Sequence, residues 1–144
     1  MSKADEAAAY FAKNYNCCQA TLSPFAAELG LRVELAQRAT AALGGGVARS
    51  GRTCGAVSGA LIALGLKHYR SPADKAGVYA IGQEFLRRFE AARGSSQCRD
   101  LIGYDISTPA GHDEAVASGV LGEVCPGLVR GAVEIVEEML GTDA

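Results

Sequence analysis

Wherever the apolar residues of this chain show a period, it is the period of an α-helix. Ala4, Ala8, Phe11 and Tyr15 recur at intervals of three and four, as do Leu35, Ala36, Ala39 and Leu43. The same spacing returns in Val78, Ile81, Phe85 and Phe89, and again in Val129, Val133, Val136 and Leu140. No stretch sustains the apolar–polar alternation of a half-buried strand. With tryptophan absent and alanine abundant, the chain reads as an all-α protein. The expected form is a compact bundle of about six to seven closely packed helices, with residues 1–144 in a single domain.

Punctuation divides that pattern. Ser71-Pro72 with Asp74 is a start signal, because proline suits the first helical position and an acid offsets the dipole there. Gly30, Gly44 and Gly94 stand where helices stop. Helices are therefore expected near residues 3–14, 16–29 (kinked or restarted at Ser23-Pro24), 33–43, 53–68, 72–93, 96–102 and 125–141. The least regular segment, 103–124, is given one short helix near Asp113 to Ser118 and is expected to act as a cover.

Five cysteines are the chemically reactive feature. The N-terminus has acids in its first turn and no apolar stretch of the kind a secretory signal needs, so a cytoplasmic protein is expected. In a reducing compartment an odd number of thiols argues against a disulfide framework. Cys17 follows Asn16, Cys54 follows Thr53, Cys98 follows Ser95 and Ser96, and Cys125 precedes Pro126. Each therefore belongs in or beside an expected first turn, where unpaired N–H groups favour a thiolate. If those four helix starts converge, they form either a reactive dithiol pair or a ligand set for zinc or an iron–sulfur cluster. Cys18 points elsewhere on its helix and is read as a packing residue. There is no C-x-x-C, so spacing alone assigns no zinc ribbon or thioredoxin-type site.

The apolar run Cys54 to Leu66 is shorter than the ~20 residues of a membrane span, so no membrane insertion is expected. Gly55, Gly59 and Ala63 fall on one face of it at intervals of four. Gly55 and Gly59 are candidates for close approach by a cofactor, by another helix of the chain, or by a second copy in a homodimer. Net charge is −2, with 14 basic and 16 acidic residues, which carries no footprint for nucleic acid. A neutral small molecule or a protein redox partner is expected instead. GVARSGRT, residues 46–53, comes one residue from a phosphate-binding loop, but Arg52 replaces its lysine and no strand pattern precedes it. The glycine run 44–46 is read as a loop allowing backbone to approach the start of the Cys54 helix. His68 suits a helix C-terminus, and His112 is a candidate proton donor or metal ligand.

Four elements in order carry a family likeness. They are Asn16-Cys17 with Gln19, a Gly-Gly-Gly run before Cys54-Gly55-Ala56-Val57-Ser58-Gly59, Cys98 ahead of Leu101-Ile102-Gly103, and Cys125-Pro126. Together they resemble the C_GCAxxG_C_C family of redox-active proteins over nearly the whole chain. The resemblance implies a small bacterial or archaeal protein whose signature cysteines are Cys17, Cys54, Cys98 and Cys125. A related domain in split-Soret cytochromes implies that such cysteines can hold an iron–sulfur cluster. Cys18 departs from the pattern, standing where alanine is common. Three functions stay open at this stage: thiol–disulfide redox chemistry, metal or cluster binding by the same four sulfurs, and a non-catalytic helical interaction module.

Overall fold

The computed structural model describes residues 1–141 and arranges them as eight α-helices, with no strand among the described residues. They are α1 (Lys3–Ala12), α2 (Cys17–Ala26), α3 (Val33–Ala39), α4 (Gly55–His68), α5 (Lys75–Arg93), α6 (Cys98–Ile102), α7 (Pro109–Ser118) and α8 (Val120–Gly141). A 3-10 turn over Pro72–Asp74 leads into α5, where Ser71 and Asp74 form a reciprocal cap.

Asn16 opens α2 with a capping box, its side chain accepting from Gln19 N–H while Gln19 accepts from Asn16 N–H. The same two side chains reach α3: Asn16 Nδ2 donates to the carbonyls of Thr40 and Ala41, and Gln19 Nε2 to that of Gln37. α2 runs through Pro24 without a break. α3 stops at Ala39 rather than at residue 43, since Thr40 Oγ1 bonds back to the Ala36 carbonyl at 2.7 Å and the chain turns toward the glycine run.

The core is built on α2 and α4, flanked by α1, α5 and α8, with Phe25, Phe85, Phe89, Leu64, Val133 and Val136 buried. Gly55 and Gly59 set the separation of the central pair. A Cβ at Gly55 would lie 2.9 Å from the Cys18 backbone nitrogen, and one at Gly59 would lie 2.7 Å from the Cys18 carbonyl oxygen. Helix packing against α2 accounts for both glycines. The face also offered to a second copy is covered by α2 of the same chain.

The segment before α8 departs most from the sequence reading. α7 starts at Pro109, not Asp113, because Thr108 caps it by accepting from Gly111 N–H and proline fills the first position. Gly119, at φ +78°, ends α7, and α8 begins at once, turning by 83°. Pro126 thus lies inside α8, and Cys125 is its sixth residue rather than a first-turn residue. The helix continues because proline removes one donor and leaves only the Gly122 carbonyl without its helical partner. Among the described residues no single helix is long and apolar enough to cross a membrane.

Candidate functional site

The site begins with a strained turn between α3 and α4. Gly45, Gly46, Val47, Ala48 and Arg49 have φ of +63°, +66°, +68°, +51° and +60°, five consecutive residues in the left-handed region. For the three that are not glycine this costs about 1–2 kcal/mol each. Hydrogen bonds from Ala48 N–H to the Ala42 carbonyl (2.8 Å) and from Arg52 N–H to the Gly46 carbonyl (2.9 Å) hold the turn. With α3 before it and left-handed backbone through it, the segment is no phosphate-binding loop.

This turn joins two of the thiols. Cys98 N–H donates to the Arg52 carbonyl at 2.6 Å and Cys54 N–H to the Ser96 carbonyl at 2.8 Å, either side of an antiparallel bridge between Thr53 and Gln97. Arg99 clamps the outside, donating to the carbonyls of Ser50 and Gly51. Gly46 has no room for a side chain, since its Cβ would meet that of Cys98 at 2.6 Å. The glycine run thus brings backbone to Cys98, and through Gly44 to the Asn16 side chain.

Cys17 begins α2, Cys98 begins α6, and Cys54 is the residue that caps α4. These three, with Cys125 from α8, line one cavity of about 170 Å³. Phe11, Ile102, Ile106, Leu121 and Leu128 give it an apolar wall. Asn16, Arg49 and His112 are the polar side chains that reach it, and no carboxylate lines it. Asn16 is already fully engaged in capping α2 and holding α3. His112 comes from α7, which covers one side of the cavity, while His68 closes the last turn of α4 elsewhere. Cys18 is fully buried and lies outside the lining.

Burial outweighs the helix dipole for most of these thiols. Cys98 is pushed up to about 12, first by burial and then by the neighbouring Cys54 and Cys125. Burial likewise raises Cys54. The N–H groups of Ala56 and Val57 beside its sulfur pull the other way without closing a capping hydrogen bond. The expectation of thiolates at helix starts is thereby overturned for Cys54 and Cys98. Cys17 and Cys125 behave as a pair. Hydrogen bonding between them raises Cys17 well above the ordinary thiol value, helped by burial, and lowers Cys125. Between the two, the proton is favoured on Cys17 and negative charge on Cys125.

Among the described residues, no three His, Cys, Asp or Glu side chains converge closely enough to hold a metal ion. The sulfurs as placed therefore do not form the ligand set of a single ion such as zinc. Two functional features escaped the sequence. Arg49 reaches the cavity only because of the left-handed turn, which nothing in GVARS announces. The full length of α7 was signalled by Thr108-Pro109, the same kind of start as Ser71-Pro72.

No curated protein and no solved structure matches the chain. The family model described as "Putative redox-active protein (C_GCAxxG_C_C)" matches residues 15–139. That span holds the whole cavity lining except Phe11. The chain belongs to the C_GCAxxG_C_C family of redox-active proteins.

Proposed function

We propose that this protein carries out thiol–disulfide exchange with Cys17 and Cys125 as its working pair. The observation that carries this reading is that Cys17 and Cys125 line one cavity, where their interaction raises the first thiol and lowers the second. A thiolate with an adjacent protonated thiol is the resting form of a dithiol reductant.

In the first step the Cys125 thiolate attacks one sulfur of a substrate disulfide. A bond forms from Cys125 Sγ to that sulfur, the substrate S–S bond breaks, and the other half leaves as a thiolate. In the second step Cys17 gives its proton to a departing thiolate, and its sulfur attacks Cys125 Sγ, closing the Cys17–Cys125 disulfide and expelling the second half. The protein is oxidised by two electrons and the disulfide is reduced to one thiol, carrying the Cys17 proton, and one thiolate, which takes a proton from water. Cys54 and Cys98, held protonated by burial, contribute to the cavity wall.

The test is mild oxidation of anaerobically purified protein with hydroxyethyl disulfide, followed by alkylation, peptide mass mapping and metal analysis. The expected result is a Cys17–Cys125 linkage, with Cys18, Cys54 and Cys98 alkylated as free thiols. Stoichiometric iron or zinc with all four cavity cysteines unavailable to alkylation would overturn the reading in favour of a metal centre.

A further inference from the structure

Resting on the proposed exchange, we infer that the substrate is a small anionic disulfide or related electrophilic-sulfur compound, and that Arg49 selects it. Three observations converge. Among the described residues the guanidinium of Arg49, like those of Arg32, Arg38 and Arg52, has no hydrogen-bond or ion-pair partner, and of these four only Arg49 lines the cavity. It is the only permanently charged side chain on a wall that is otherwise apolar or thiol. No carboxylate on that wall competes for it.

The turn that carries Arg49 is costly backbone, and strain of this kind persists only where its surroundings enforce it. Its consequence is a cation at the entrance to the cavity that holds the Cys125 sulfur. A cavity of about 170 Å³ is close to one of ~150 Å³ that takes benzene, so it admits about six non-hydrogen atoms. That is one arm of a small disulfide, a sulfur and a short chain ending in a carboxylate or sulfonate. It excludes the folded surface of a protein substrate. Arg49 is exposed, so its attraction for the anionic end acts through solvent and weakens with salt. The anion would hold the arm while Cys125 attacks its sulfur. Electrons and protons then balance as in the two steps above, with each half of the disulfide released carrying its anionic end, one as the thiol and the other as a thiolate protonated by water.

The experiment uses three small disulfides of similar size: 3,3′-dithiodipropionate (anionic), hydroxyethyl disulfide (neutral) and cystamine (cationic). Each rate of Cys17–Cys125 oxidation is divided by that compound's rate with free 2-mercaptoethanol. The anionic compound is expected to react about tenfold faster than the cationic one, by an amount that shrinks in high salt. Arg49→Gln should bring the ratio near one, and Arg49→Lys should keep most of it. Both variants retain a side chain at the same left-handed position, so equal thermal unfolding controls for folding. Equal normalised rates across the three compounds in the unmodified protein would overturn the inference and leave the exchange reading standing.

A binding readout separates the two in the other direction. Suberate, the inert dicarboxylate with carbon in place of both sulfurs, should slow iodoacetamide alkylation of Cys125, and 1,6-diaminohexane should not. Protection by suberate that is lost in Arg49→Gln supports the anion site even where no disulfide forms. Absence of that protection overturns it.

Discussion

Cys17 at the start of α2 and Cys125 in the second turn of α8 line the same cavity, from opposite ends of the sequence. Their interaction raises the Cys17 thiol and lowers that of Cys125, which favours charge on Cys125. At neutral pH, iodoacetamide is therefore expected to label Cys125 before the other four cysteines, as read by timed peptide mass spectrometry. Cys17→Ala removes the interaction that lowers Cys125 and should slow that labelling. Cys17→Ser keeps a donor and should restore much of the rate. Equal labelling of Cys125 in all three proteins would show that Cys17 does not activate it.

The contact between Gly59 and the Cys18 carbonyl predicts a contrast within one helix. Gly59→Ala puts a methyl 2.7 Å from that oxygen and should cost about 1–2 kcal/mol after the better helix propensity of alanine is counted. Gly65→Ala, also in α4, meets nothing within 4 Å and should stabilise by up to about 1 kcal/mol. Urea denaturation of the two variants checks the opposite signs.

The pH dependence of stability should carry the mark of Cys18. Burial pushes this thiol up to about 12 from an ordinary value of 9.0, so the folded state keeps its proton where the unfolded chain loses it. The stabilising contribution is complete below pH 9 and is lost as pH rises from there toward 12, at a slope near 1.4 kcal/mol per unit. Cys18→Ala lowers stability at every pH through its cavity but should fall less steeply between pH 9 and 11. Parallel curves for the two proteins would contradict the assignment.

Relief of the left-handed turn is measurable at Val47, a β-branched residue at φ +68° with its side chain partly in solvent. Val47→Gly is expected to stabilise by about 0.5–1 kcal/mol, the strain relieved being partly offset by the extra freedom of glycine in the unfolded chain. A loss of stability would mean that the turn is held by the Val47 side chain and not in spite of it.

Local signals were legible where one residue's chemistry decides the outcome. Asn16 before Cys17, Ser71-Pro72 and Gly94 each mark a boundary that the structure keeps. Pro126 misled because proline favours a first helical position yet is also tolerated deeper in a helix, and only the packing of α8 distinguishes the two. Thr108-Pro109 was readable but was masked by the weak apolar pattern of α7, whose one buried residue is Ala115. The four cysteines could be named from the chain. Their relation to one another depends on the Thr53–Gln97 bridge and on α8 crossing behind α2, contacts that no local pattern encodes. Arg49 was the least accessible, because the conformation that aims it is one that valine, alanine and arginine all disfavour.

Cys18 is Cys17's nearest neighbour along the chain and would be the obvious rival for any bond that Cys17 makes. One residue of helix turns the direction of a side chain by about 100°. Cys17 accordingly opens onto the cavity while Cys18 is sealed between α2 and α4. The first turn of α2 acts as an insulator between two adjacent sulfurs. Fidelity of pairing is thus decided by the pitch of the backbone before any difference in reactivity comes into play.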